Sequence, residues 1–298
     1  MIVGIETGGT KVVCGAVDEA RPRELVDEVR FPTTTPEETI GRINAFVADV
    51  EQRGEVRALG VASFGPVNVE PGAARYGYVT GTPKQGWSHT DLLGGIALAA
   101  RVPTVMLADV GSAAVGEQRW GAGAGLDRVA YATIGTGIGV GLVVGGRLLH
   151  GNGYPELGHI LVRKHPDDDF EGVCPFHGDC LEGLASGPAV LARWGADASS
   201  FSDDVRDARL DVLAFYLAQL AATTSYAVGV QRFVLGGGVM SSPGLLDAVR
   251  RRLPQVSGGP GAGHADSLDA DDFLVAPGLG GHSGLLGAVV AALDLLER

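Results

Sequence analysis

The sequence predicts an α/β fold whose central plan occurs twice, and three observations carry that reading. The chain opens with "IVGIETGGTKVVCGAV": Ile2, Val3 and Ile5 run into Thr7-Gly8-Gly9-Thr10, and the apolar "KVVCGAV" runs out, which spells strand, glycine turn, strand. The same order returns at "RVAYATIGTGIGVGLVVGGRLL", where "VAYATI" enters Gly135-Thr136-Gly137-Ile138-Gly139 and "VGLVVGGRLL" leaves it, near the start of the second half. Helical patterns lie between the strands, and that alternation marks the α/β class.

The remaining elements follow in chain order. "RVPTVMLADVGSAAVGE" reads as an apolar strand ending in Asp109, then a helix start built from small residues. Beyond the second hairpin, Leu210, Leu213, Leu217, Leu220 and Thr224 recur at three- and four-residue steps, so they share one helix face. The run "RFVL" leads into a third glycine turn, Gly236-Gly237-Gly238. "QVSGGPGAGHADSLDADD" has turn formers and charge but no period, and reads as a mobile surface loop. "GLLGAVVAALDLLER" closes the chain as a helix.

Composition narrows the function classes. A chain of 298 residues with 45% hydrophobic content can bury a real core. A net charge of -12 argues against a general nucleic-acid or anionic-membrane binder, which needs a basic face. Three cysteines do not make a disulfide framework and fit a reducing compartment. The N-terminus has no basic region, and Glu6 interrupts its apolar run, so no leader is expected. The most apolar stretch is broken by Arg101, Pro103 and Asp109, so no membrane span is expected. The expectation is a cytoplasmic protein with neither nucleic acid nor membrane as partner.

Glycine turns that follow strands suit phosphate. Several backbone N–H groups can point at one anion where no side chain blocks the approach, and a Thr hydroxyl adds a donor. Three such turns together point to a nucleotide triphosphate. They match neither G-x-x-x-x-G-K-[ST] nor G-x-G-x-x-G, which excludes the P-loop and gives a dinucleotide fold little support. Asp109 stands where a strand ends, the place where α/β proteins bind ligands. It reads either as a helix N-cap or as a base that accepts a hydroxyl proton during phosphoryl transfer. "CPFHGDC", from Cys174 to Cys180 with His177 between, leaves three readings open: a metal site, a redox pair or a plain loop. Its Cys-x5-Cys spacing is not that of the usual redox motif.

The segments "GIETGGTK", "LADVGSAAVGE", "IGTGIGVGLVVGGRLLHGNGYPELGH", "CPFHGDCLEGLASGPA" and "LGGGVM" together resemble the ROK family (repressors, open reading frames and kinases) of sugar kinases. The resemblance spans the chain nearly end to end. "TPKQGW", "EGLASGPA" and the Cys-x-x-His-x-x-Cys loop are similar to its bacterial fructokinase branch.

The resemblance implies an actin-like ATPase fold, ribonuclease H-like and duplicated, with two lobes and an interlobe cleft. The N-terminal lobe would cover residues 1–115, with the terminal helix of about 284–298 packed back on it, and the second lobe 116–283. ATP and Mg2+ would donate the phosphoryl group, and the chain would form a homodimer. Asp109 would be the catalytic base. Gly8, Gly9, Thr10 and Lys11 would form the first phosphate turn, and Thr136 with Gly137 the second. Pro188 and Gly236, Gly237, Gly238, Val239 and Met240 would line the adenosine pocket. Glu156, His159 and Glu182 would hold sugar hydroxyls, and a structural Zn2+ would sit on His159, Cys174, His177 and Cys180. His165 is nearer in sequence, but the family motif assigns the fourth ligand to His159.

The implied reaction is ATP-dependent phosphorylation of fructose at its 6-hydroxyl. Glucose, mannose or an N-acetylhexosamine as substrate, and a non-catalytic sugar-responsive regulator, are the alternatives. Two positions depart from the family pattern: Glu6 replaces an Asp common in its glucokinases, and Gly111 replaces an Asn. The first strand starts at Ile2, so the helix-turn-helix of the family's repressors is not expected.

Overall fold

The computed structural model describes residues 1–150, 153–258 and 270–297. The chain forms two compact units. One comprises Met1–Gly121, His150–Tyr154 and Gly278–Arg298; the other comprises Ala122–Leu149 and Pro155–Pro277.

In the first unit, Thr7-Gly8-Gly9-Thr10 links β1 (Ile2–Thr7) to β2 (Lys11–Asp18) as an antiparallel hairpin. β3 (Arg21–Pro32) pairs with β2. Thr35 then caps α1 (Pro36–Arg53), with Pro36 at the first position, where its missing N–H costs nothing. β4 (Ala58–Ser63) returns parallel to β1. Next come a two-residue ladder, β5 (Tyr78–Val79) with β6 (Thr90–Asp91), and the single turn α2 (Leu92–Gly95). β7 (Thr104–Ala108) adds to β4, and α3 (Asp109–Trp120) follows without a break. The unit boundary therefore lies after α3, at Gly121, because a continuous helix crosses position 115.

The second unit repeats the plan. β8 (Arg128–Ile134) and β9 (Ile138–Val144) form the second hairpin, and β10 (Arg147–Leu148) pairs with β9. The short α4 (Leu181–Ala185) and α5 (Gly187–Trp194) precede α6 (Asp203–Val228). Leu210, Leu213, Leu217, Leu220 and Thr224 of α6 are all buried, as their spacing predicts. β11 (Arg232–Gly236) lies parallel to β8 and enters the third glycine turn. α7 (Leu245–Val256) packs on α6, where Arg252 pairs with Asp211. α8 (Ala270–Phe273) and β12 (Leu274–Val275) complete the unit. The expected surface loop of residues 255–272 falls mostly on 259–269, outside the described residues; Asp271 and Asp272 belong to α8.

The two five-stranded sheets run in the orders β3-β2-β1-β4-β7 and β10-β9-β8-β11-β12. Strand for strand, order and direction are the same, so the duplication read from two hairpins extends to whole sheets. The last helix, α9 (Ser283–Leu296), packs on β1, β4 and α3. It does so at backbone contact. A methyl group on Gly60 would lie 1.9 Å from the Ala288 carbonyl oxygen, and one on Gly287 would lie 1.7 Å from that of Ser112. The buried Glu117 carboxylate accepts from Gly278 N–H (2.9 Å), Leu279 N–H (3.0 Å) and Ser283 Oγ (2.6 Å), which fixes where α9 begins.

Candidate active site and metal centre

The first glycine turn is held by its carbonyls. Thr33 Oγ1 donates to Gly8 O at 2.6 Å, Thr33 N–H to Thr10 O at 3.0 Å, and Lys84 Nζ to Gly9 O at 2.6 Å. A trans peptide sets its C=O and N–H on opposite sides. Anchoring the Gly8 and Gly9 carbonyls therefore turns the N–H groups of Gly9 and Thr10 the other way. Those two N–H groups have no acceptor among the described residues, and Gly9, Thr10 and Lys11 are exposed. That is a receptive edge for an anion. Neither Thr33 nor Lys84 was legible as part of this turn. Only the contact made by a distant loop reveals them.

Asp109 is the first residue of α3, and its Oδ1 accepts from Val110 N–H at 2.8 Å. The N-cap position falls to Ala108, which has no side-chain cap. Asp109 thus stands partly exposed at the end of β7 with a carboxylate oriented by the helix start. Gly111, two residues on, is buried. Glu6 is directed at the start of α9: its carboxylate occupies the space where a Gly284 side chain would be. Burial raises its pKa, opposed by Lys11, the Leu285 backbone, Arg30 and His282.

In the second unit the structure gathers most of the expected residues around the β8–β9 turn. The N–H of Gly187 donates to Gly135 O at 2.7 Å, which brings the start of α5, with Pro188, onto the turn. A methyl group on Gly187 would lie 3.9 Å from Val239 Cγ2, so Val239 is close by. Gly237 has φ +95, and a side chain there would strike the Ile134 backbone at 2.4 Å. Glycine is required at Gly237 on both counts. Gly238 and Met240 follow in the same turn, at the end of β11.

Glu182 reaches the same turn. Its Oε2 accepts from Ile138 N–H at 2.9 Å and lies 2.7 Å from where a Gly137 methyl would be. The sequence reading placed Glu182 among sugar contacts; the structure ties it to the second glycine turn. Glu156 is exposed, yet the protein crowded around it raises its pKa, with His159 opposing and Glu182 adding to the rise. Gly158 lets this segment close onto β9, since a methyl there would lie 1.9 Å from Ile138 O.

His159, Cys174, His177 and Cys180 present one donor atom each, all within 4.8 Å of one another. His159 Nδ1 lies 3.5 Å from Cys180 Sγ and 3.8 Å from Cys174 Sγ, and His177 Nδ1 lies 3.7 Å from Cys174 Sγ. Zinc bonds of about 2.3 Å to sulfur and 2.0–2.1 Å to nitrogen give tetrahedral S···N edges of about 3.6 Å. The donor set therefore fits zinc in chemistry and spacing. All three cysteines are free thiols. Without a cation, burial pushes the Cys180 thiol up to about 11, so a bound cation is what would favour its thiolate. His165 is engaged elsewhere: its Nδ1 accepts from Asp167 N–H, and its Nε2 lies 3.4 Å from Asp211.

Three comparisons bear on this arrangement. The ROK family model matches residues 2–294. A fructokinase of Zymomonas mobilis is 39% identical over 292 residues, covering 97% of this chain and 95% of its own. A fructokinase of Pediococcus pentosaceus is 36% identical over 299 residues, covering 100% of both. The crystal structure of a ROK hexokinase from Thermus thermophilus aligns with a TM-score of 0.79 at 26% identity, over 100% of this chain and 99% of that one. A ROK glucokinase from Streptomyces griseus, solved with glucose and AMPPNP, aligns with a TM-score of 0.75 at 27% identity, over 98% of this chain and 99% of that one. The duplicated α/β fold is thus the actin-like ATPase fold of these kinases. With the family model matched over almost its whole length, the chain belongs to the ROK family.

Proposed function

We propose that the chain is an ATP-dependent fructokinase that transfers the γ-phosphoryl group of ATP to the 6-hydroxyl of D-fructose. The observation that carries this reading is full-length similarity to relatives named fructokinase. In this reading Asp109 is the catalytic base, the turns Gly8-Gly9-Thr10-Lys11 and Thr136-Gly137 bind phosphate, Pro188 and Gly236 to Met240 contact adenosine, and Glu156, His159 and Glu182 contact the sugar.

Asp109 orients the attacking hydroxyl and accepts its proton late, as the oxygen–phosphorus bond forms and the bond to ADP breaks. Backbone N–H groups of the two turns hold phosphoryl oxygens. Mg2+, when bound with ATP, would offset the charge that develops on the phosphoryl oxygens. The four-ligand set His159, Cys174, His177 and Cys180 would hold a structural zinc ion, closing its shell and leaving no position for water. The active form is proposed to be a homodimer in the cytoplasm. Among the described residues no helix is long and apolar enough to cross a membrane.

A coupled ADP-release assay across fructose, glucose, mannose and N-acetylhexosamines tests the substrate. Fructose should give the highest kcat/KM. A clear preference for glucose or mannose would refute the assignment and direct attention to Gly111.

A further inference from the structure

We infer that Lys84, together with Thr33, is a positioning device for the first phosphate turn, a carbonyl clamp that aims its N–H groups at the phosphates of ATP. The inference rests on the kinase reading above and adds a role for "TPKQGW", a segment that otherwise only marks the branch.

Lys84 Nζ lies between two backbone carbonyls, 2.6 Å from Gly9 O and 3.4 Å from Thr33 O. Its loop is not free to drift. Trp87 is fully buried and donates from Nε1 to Thr34 O at 2.8 Å, and Trp87 N–H donates to Lys84 O at 3.1 Å. Thr33 is buried and uses three groups at once: N–H to Thr10 O, Oγ1 to Gly8 O, and its own carbonyl to Lys84. Consecutive turn carbonyls are thereby drawn to one side, and the N–H groups of Gly9 and Thr10 face the other. A glycine pair left to itself samples many conformations. The clamp removes that freedom before nucleotide arrives, so less entropy is lost on binding.

Residue usage supports a specific need for an ammonium here. Of the 23 lysines and arginines in the chain only three are lysines, Lys11, Lys84 and Lys164. Two of the three flank this turn. An ammonium is a compact point donor that fits between two carbonyls, whereas a planar guanidinium fork does not match that geometry.

The test compares AMPPNP with AMP, each with Mg2+, by titration calorimetry on the full chain, for wild type, Lys84→Met, Lys84→Arg and Thr33→Val. Lys84→Met should weaken AMPPNP binding about 10- to 100-fold, the worth of one charge-assisted hydrogen bond, and change AMP binding less than about twofold. Lys84→Arg should be intermediate, and Thr33→Val should show the same split between the two nucleotides. Relative kcat/KM values among hexoses should not change in any variant. Unchanged AMPPNP affinity, equal loss for AMP and AMPPNP, or a reordered hexose preference would each overturn the clamp. Should Lys84→Met not fold, Lys84→Arg and Thr33→Val carry the same prediction. A wild type that binds no AMPPNP would overturn the kinase reading, and the clamp with it.

Discussion

At the scale of single residues, Asp109 carries the most specific expectation. It sits at the first position of α3, with Oδ1 receiving Val110 N–H, so its orientation is set by backbone. Asp109→Asn keeps the shape and loses the proton acceptor. We expect kcat to fall by about 10²–10⁴-fold while fructose and ATP still bind. Near-normal turnover in a folded variant would remove Asp109 from the mechanism. The residue was legible because an apolar strand ending in Asp before small residues is a recognisable pattern. Lys84 was not, because nothing in "TPKQGW" announces that its ammonium meets Gly9, 75 residues upstream.

At the scale of elements, the packing of α9 on β1, β4 and α3 is set by glycines more than by bulk. Gly60 leaves its Cβ position to the Ala288 carbonyl, at 1.9 Å. That neighbour is backbone in mid-helix and cannot rotate away. Gly60→Ala should therefore push α9 off the sheet and destabilise the protein by about 3 kcal/mol or more, seen as a lower urea midpoint. An unchanged midpoint would mean that α9 slides at little cost. The closing helix itself was plain in "GLLGAVVAALDLLER", and the family resemblance implied that it packs back on the N-terminal lobe, but the elements it meets there, β1, β4 and α3, were not legible, since periodicity shows that a face is buried and not against what.

At the scale of the whole molecule, both units share one strand plan, yet only the second holds a cluster of metal-ligating side chains among the described residues. Cys180 immediately precedes α4, and Glu182 of α4 holds Ile138 N–H at the second glycine turn. Stripping zinc should free Cys180, loosen α4 and reach the nucleotide side as well as Glu156 and His159. Expected outcomes are about one zinc per chain by elemental analysis and a Tm lower by about 10 °C after chelation. KM should rise for both fructose and ATP. Hydrogen exchange should increase around residues 157–184 and at Ile138, while β1, β2 and β4 keep their protection. Zinc-free protein with native Tm would refute the metal centre.

The sequence alone determined the α/β class, the two glycine hairpins, the long apolar face of α6 and the family, because these depend on local period, turn chemistry and contiguous motifs. The candidate base and the four candidate sulfur and nitrogen ligands were also within reach, each lying in a recognisable string. Tertiary structure alone decided which groups stand behind the turns. Thr33 and Lys84 clamp the first turn, and Glu182 braces the second. It alone set α9 against Gly60 at backbone contact. The physical reason is the same in each case. A hydrogen bond or a close approach across tens of residues depends on where the chain returns in space, and no local spacing encodes that distance.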